Sequence, residues 1–424
     1  MNRLLHVSAI AGLLLASGCG GDSKDSTDTA DTVATTVAAT TPDTTPDTEA
    51  PSTTEAAPSE LDARAIVEVL AGDELGGRDN LTDFSTAAQD FLIGEVSQFA
   101  QPVFTGEGNE AYLQHFDEGT NILAMVPGGD LASEYIVVGA HYDHLGGVGS
   151  TCYTTDDTDE ICNGAADNAA GVAAAISAVR AIAAEGTPRR TIVLALWDAE
   201  EDGLLGSEAY LADPAFPVEF TVAYVNFDIQ GANLSPALAN TTIVVGAETG
   251  GQELIDMANA AVTESTLDSV LLSVLYGQGR SDHANFVAAG VPSVFFTDAN
   301  NGCYHSAQDD VLALNFPKLD QQVITATALT RALVATDTPP TFNSTAPATS
   351  YDDAVSLLAV VERGLPDVGL LATEAQATYE QYRLDLQAIV DAGPEGFNDE
   401  AVGILLVGAV GLVDALTQAP CQTV

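Results

Sequence analysis

Histidine is scarce in this chain and sits where carboxylates are dense. Beyond the N-terminal segment there are five: His115, His141, His144, His283 and His305. His141-Tyr142-Asp143-His144 follows an apolar run at 135–140. An imidazole two residues ahead of a carboxylate can bind a metal through one nitrogen while a carboxylate orients the other; a structural histidine at a strand end is the competing reading. Asp167-Asn168 leads into an alanine-rich stretch. Asp167 there suits a helix N-cap, and equally a carboxylate bridging two cations. Asp198-Ala199-Glu200-Glu201-Asp202 leaves another apolar run. Adjacent glutamates are costly in such a place unless a cation compensates them, and a solvated acidic turn competes. Asn226-Phe227-Asp228 ends a third run, and Cys303-Tyr304-His305 sets an imidazole beside a phenol.

These motifs need a scaffold. Short apolar runs at 121–126, 135–140, 191–197, 222–227, 241–245 and 293–297 read as buried strands. Stretches at 169–184, 204–211, 252–264, 283–289 and 317–336 read as helices, the last opening on Pro317, which suits a first helical position. Strands alternating with helices predict an α/β fold with a mostly parallel central sheet. In open sheets of that kind ligands gather at the carboxyl ends of strands, which is where the motifs fall.

Taken in order, His141-x-Asp143, Asp167-Asn168, Glu200-Glu201, Asn226-x-Asp228 and Tyr304-His305 resemble the motifs of the secreted di-zinc aminopeptidases, relatives of the glutamate carboxypeptidases. Ser281-Asp282-His283 followed by Gly290-Val291-Pro292 is similar to a further family segment. The resemblance covers residues 60–336 and implies a three-layer sandwich. It implies two Zn²⁺, with Mn²⁺ or Co²⁺ as substitutes: one held by His141 and Asp228, the other by Glu201 and His305, with Asp167 between them. It further implies Glu200 as general base and later acid, Tyr304 as donor to a developing oxyanion, and Asp143 as the group orienting His141. His144, Asp282 and His283 are implied to be supporting residues. The activity implied is hydrolysis of peptide bonds by a water shared between two cations, most simply at a free N-terminus. Where some relatives carry a second cysteine after the Tyr-His pair, Gln308 and Asp309 stand here. A glutaminyl cyclase with a single zinc is a second reading, against which His141 counts. A non-catalytic surface binding protein on the same fold is a third, against which the full set of six positions counts.

Composition bounds the partners. The 424 residues hold 61 acidic and 12 basic side chains, a net charge of -49. Such a surface repels phosphate backbones, so nucleic acid is excluded as a partner in favour of peptides or proteins. Residues 1–19 read as an export signal: Arg3, a short apolar stretch, then Ala16-Ser17-Gly18 before Cys19, the pattern of a lipoprotein whose Cys19 is lipidated. Residues 20–59, nearly all Thr, Asp, Ala, Pro, Ser and Glu, read as a disordered tether reaching roughly 35 Å from an anchoring membrane. The expected location is thus the outer face of the cell membrane, or the medium. Four further cysteines in an exported chain predict two disulfides, with Cys152–Cys162 and Cys303–Cys421 the favoured pairs among three possibilities. Asp156, Asp157 and Asp159 in the same acidic loop suit calcium less well than a solvated rim. Residues 337–349 read as a linker and 350–424 as a helical extension, whose apolar run at 402–413 is shorter than a membrane span.

Overall fold

The computed structural model describes residues 62–149, 151–155 and 158–422. The export signal, Cys19, the tether, Asp156 and Asp157 lie outside them. Two helices come first, α1 (Ala63–Leu70) and α2 (Asp83–Val96), capped by the side chains of Asp62 and Thr82. Strands β1 (Gln101–Pro102), β2 (Leu113–Phe116), β3 (Gly119–Val126) and β4 (Leu131–His141) follow, then the short pair β5 (Gly146–Gly147) and β6 (Ile161–Cys162). The alternating part runs α3 (Ala170–Ala184), β7 (Arg190–Trp197), α4 (Leu205–Ala212), β8 (Thr221–Phe227), β9 (Thr241–Val245), α5 (Gly251–Val262), β10 (Asp268–Leu272), α6 (His283–Ala288), β11 (Ser293–Thr297) and α7 (Phe316–Ala335). Three helices close the chain: α8 (Tyr351–Gly364), α9 (Thr373–Ala392) and α10 (Asp399–Thr417).

The main sheet has the order β1-β3-β7-β4-β8-β11-β9-β10, with β2 also paired to β3. Its four central strands, β7, β4, β8 and β11, run parallel. The flanks are mixed: β3 is antiparallel to β7, and β9 antiparallel to β11. Every residue of β7 is buried, as a strand covered on both faces requires. Because the central strands are parallel, His141, Asp198 and Asp228 emerge at one edge of the sheet, at or just beyond the ends of β4, β7 and β8.

The alanines of α3 let that helix lie close to the sheet, and Gly171 sets the limit. A Cβ there would overlap the Asn168 side chain and stand 2.9 Å from the Phe227 carbonyl at the end of β8. The terminal helices share a second apolar cluster with Val245, Val270, Leu272 and Phe295 of β9, β10 and β11. Asp353 at the start of α8 accepts the Ser273 N–H at 2.8 Å and its hydroxyl at 2.7 Å, which fastens the bundle to the loop after β10. By length and composition α10 could cross a membrane, but Leu405, Leu412 and Leu416 are buried within this cluster.

One buried ion pair braces the loop behind Asp228. Lys318 on α7 lies 2.9 Å from Asp298 and donates to the Ala232 carbonyl, while the Asp298 N–H donates to Ile229 at 2.8 Å. Removing one partner of a buried pair leaves the other charge uncompensated. Lys318→Ala is therefore expected to lose about 3–5 kcal/mol of stability in urea denaturation, and Lys318→Met with Asp298→Asn clearly less.

Candidate metal centre

Asp167 lies at the centre of the cluster. Its Oδ1 is 3.2 Å from His141 Nε2 and its Oδ2 is 3.3 Å from His305 Nε2, so its two oxygens face two imidazoles on opposite sides. His141 Nε2 also stands 3.3 Å from Asp228 Oδ1, and His305 Nε2 3.1 Å from Glu201 Oε2. These are the two triplets implied by the resemblance, each sharing Asp167. The peptide bond between Asp167 and Asn168 is cis, and neither residue has helical backbone angles. The N-cap position of α3 is Ala169, with no side-chain cap, so Asp167 precedes the helix without capping it.

The surroundings hold these groups in place. Asp143 sits behind the cluster: its carboxylate is 3.5 Å from His141 Nδ1 and accepts the backbone N–H of both Glu200 and Glu201 at 3.2 Å. Ala199 adopts φ 53°, a left-handed turn immediately after Asp198 that sends Glu200 and Glu201 in different directions. Ile229 and His305 are left-handed as well, at φ 58° and 54°. Behind Asp228 runs a relay of buried hydrogen bonds, Trp197 to Tyr224 at 2.8 Å, Tyr224 to Asn226 at 2.6 Å and Asn226 to Ser281 at 2.7 Å. Asp282 and His283 are fully buried beside that relay, and burial lowers His283 to about 4, so its ring, stacked on Phe295, is neutral. His144 is buried too and lies 2.7 Å from Glu201 Oε1.

Three supports were not legible in the sequence. Asp309 accepts the N–H groups of Ala166 and Asp167 at 2.9 and 3.0 Å, fixing the turn that presents Asp167. Arg78 is fully buried and donates to the carbonyls of Leu70, Tyr142, Asn163 and Gly164. Burial lowers its pKa to about 10, against the pull of Asp143, Asp309, Asp167 and Glu201, so it remains a cation beneath the cluster. The segment just after Cys152 supports the site as well: the Tyr153 N–H donates to the His305 carbonyl at 3.1 Å. Cys152 is bonded to Cys162, and Cys303, next to Tyr304, is bonded to Cys421.

The donor set fits zinc. Ligand atoms about 2.0–2.1 Å from a tetrahedral Zn²⁺ stand about 3.3 Å from one another, which matches the 3.1–3.3 Å separations in both triplets. Electrostatics agree. Burial pushes Glu200 well above the usual carboxylate range, with Asp228, Glu201 and Asp282 adding to the rise and His141 opposing it. Burial also raises Asp228. His305 rises to about 10 against the effect of burial, because Asp167 and Glu201 hold its proton. Negative charges crowded this tightly in a dry interior call for cations. The cleft in front of them is lined by Asp167, Glu200, Glu201, Asp228, Tyr304 and Arg280, with apolar surface from Ile229, Phe295 and Val413.

Comparison with known proteins identifies the lineage. Residues 121–330 match the family described as Peptidase family M28. That region is similar to the M28 peptidases. The chain is 31% identical over 242 residues to a protein of Arabidopsis thaliana named a probable glutamate carboxypeptidase, covering 52% of this chain and 32% of that one. It is 25% identical over 314 residues to leupeptin-inactivating enzyme 1 of Streptomyces exfoliatus, covering 64% of this chain and 62% of that enzyme. The chain thus spans less than two thirds of either relative. In fold it is similar to the LapA aminopeptidase of Legionella pneumophila, with a TM-score of 0.50, 20% identity, and coverage of 65% and 71%. The M28 match ends before α8, so the three terminal helices lie beyond it.

The side chains that would hold a metal are also the ones that hold protons. Without metal, His141 and His305, and the raised carboxyls of Glu200 and Asp228, hold protons more firmly than in the unfolded chain. Between about pH 5.5 and 8 the folded protein then carries more protons than the unfolded one, and its stability falls as pH rises. Asp167 and Glu201 are held low and titrate below that window. Metal binding needs its ligands deprotonated, so it strengthens as pH rises. The rise in Tm on adding zinc should therefore grow from about pH 5.5 to pH 8 in scanning calorimetry; a gain independent of pH would mean that other groups hold the ion.

Proposed function

We propose that this protein is a di-zinc exopeptidase, an aminopeptidase that removes residues from the free N-termini of peptides at the outer face of the cell membrane. The observation that carries the reading is the placement of Asp167 between two imidazoles, with Glu200 left over beside them in the cleft. His141 and Asp228 would hold one Zn²⁺, Glu201 and His305 the other, and Asp167 would serve both, with Mn²⁺ or Co²⁺ able to substitute. Zinc bound there would polarise the scissile carbonyl and bring the pKa of the attacking water toward neutrality.

The remaining work falls to the chain. Glu200 stands 3.9 Å from His141 Nε2, outside both triplets and free to take the proton of the water that attacks the carbonyl carbon. It then gives that proton to the leaving amine as the C–N bond breaks, so the residue ends as it began. Burial, helped by the nearby carboxylates, raises the Tyr304 phenol far above its ordinary value and keeps it protonated. Its hydroxyl is thereby a donor for the oxyanion that forms on the carbonyl oxygen. The ring is stacked on His305 at 3.8 Å, which limits its rotation.

Supporting the end-on mode, Phe295, Ile229 and Val413 line the cleft beside the carboxylates and offer apolar surface to the side chain of a terminal residue. Relatives and fold neighbours named for aminopeptidase activity point the same way. Supporting export, the Ala16-Ser17-Gly18-Cys19 signal and two disulfides both belong to an oxidising compartment, with Cys19 as the lipid anchor.

Two variants test the assignment. Glu200→Gln should keep about two zinc ions per chain by mass spectrometric metal analysis while turnover of aminoacyl-anilides falls about 10²–10⁴-fold; full activity would remove Glu200 from the mechanism. Asp167→Ala should release metal and lower Tm, since metal binding is coupled to folding, and unchanged stoichiometry would show that Asp167 is not shared.

A further inference from the structure

α10 lies outside the M28 match, yet one of its side chains lines the catalytic cleft. We propose that α10 is the specificity wall of this enzyme, with Val413 setting the size of the apolar side chain accepted next to the scissile bond; the inference rests on the peptidase reading. Val413 is half-buried and lines the same cleft as Glu200, Asp228 and Tyr304, where Ile229 and Phe295 complete an apolar lobe beside the carboxylates. Carboxylates serve the reacting amide. The lobe has no polar task there, and it fits an aliphatic or aromatic side chain.

The helix presents this wall along one stripe. Leu406, Val410 and Val413 recur at i, i+4 and i+7, so they share a face. Leu406 and Val410 line an apolar groove that adjoins the cleft, both being bordered by Tyr276 and Gln278. The groove therefore continues the lobe away from the catalytic carboxylates and suits the more distant apolar atoms of a long substrate side chain.

A wall selects only if it is rigid, and α10 is held from two sides. Leu405, Leu412 and Leu416 are buried in the bundle, and the Tyr382 hydroxyl donates to the Leu405 carbonyl at 3.1 Å. Beyond the helix, the Ala419 carbonyl packs so close to Gly302 that no Cβ would fit there. Cys421 is then bonded to Cys303, with their Cα atoms 4.5 Å apart. Tyr304 and His305 follow Cys303 directly, so one short covalent path joins the wall to the oxyanion donor and to a proposed zinc ligand.

The test uses full-length Val413→Ala and Val413→Phe with alanyl-, leucyl- and phenylalanyl-anilides, reading kcat/KM, zinc content and Tm. In an apolar pocket one methylene changes kcat/KM about 10–200-fold. Val413→Phe should lower the ratio of phenylalanyl to alanyl turnover at least about 10-fold with zinc content unchanged, and Val413→Ala should raise it. A ratio unchanged in both variants, or a loss shared equally by all three substrates, overturns the proposal. If Val413→Phe fails to fold, the direction of the Val413→Ala ratio decides. Wild-type protein that cleaves none of the three refutes the peptidase reading, and this inference with it.

Discussion

Negative charge buried at the carboxyl ends of parallel strands is the constraint on which this structure depends. Asp143, Asp167, Asp198, Glu200, Asp228, Asp282 and Asp309 are all almost fully buried around one cleft. On the surface of a chain this acidic, another carboxylate costs little, because water and salt screen it. In the interior each costs several kcal/mol unless compensated. Hydrogen bonds account for three on the periphery: Asp143 and Asp309 each accept two backbone N–H groups, and Asp198 accepts that of Thr120. Arg78 supplies one fixed cation beneath them. The innermost four, Asp167, Glu200, Glu201 and Asp228, have mainly histidines for company, which is the electrostatic signature of a metal site.

Backbone geometry follows from the same constraint. Arg78, Ala199, Ile229 and His305 all adopt left-handed conformations without being glycine; Ile229 lines the cleft, Ala199 directly precedes Glu200, and Arg78 lies beneath the cluster. Such conformations cost of order 1–3 kcal/mol each and persist where the surroundings over-determine them. For His305 those surroundings are unusually explicit. The loop that carries it is hydrogen-bonded to the segment after Cys152 and covalently joined through Cys303 to the end of the chain. Two cross-links far apart in sequence thus converge on one ligand-bearing loop.

The sequence revealed the centre of the molecule better than its supports. The six apolar runs appear as β3, β4, β7, β8, β9 and β11, and the five helical stretches as α3, α4, α5, α6 and α7, because strands buried on both faces and helices with an apolar face leave strong local patterns. β10 opens on Asp268 and Ser269, and β2 carries Gln114 and His115 at its centre, so neither left such a pattern. The proposed ligands were legible because chemistry demands particular side chains at strand ends. Arg78 was not, since its task is to reach four carbonyls that only the tertiary fold brings together. Asp309 lies four residues after His305, and its use as an anchor for the Asp167 turn has no local signal. The apolar faces of α8, α9 and α10 were readable as helical, but their partners on β9, β10 and β11 were not.

The crowding also leaves two histidines, His144 and His305, beside the same carboxylates, and their distances differ in kind. His144, Asp167 and Glu201 lie near enough together to form a binding group of their own. His144 Nδ1, however, is 2.7 Å from Glu201 Oε1, a hydrogen-bond length well short of the ~3.3 Å that separates two ligands on one tetrahedral ion. His305 Nε2 faces Asp167 and Glu201 at 3.3 and 3.1 Å, and it is also the more exposed ring. His144 therefore fits best as a donor to Glu201 Oε1, turning Oε2 of the same carboxylate toward His305. An imidazole in that position does for Glu201 what Asp143 does for His141: it fixes the orientation of a ligand from behind, so that each ion would meet side chains already in place.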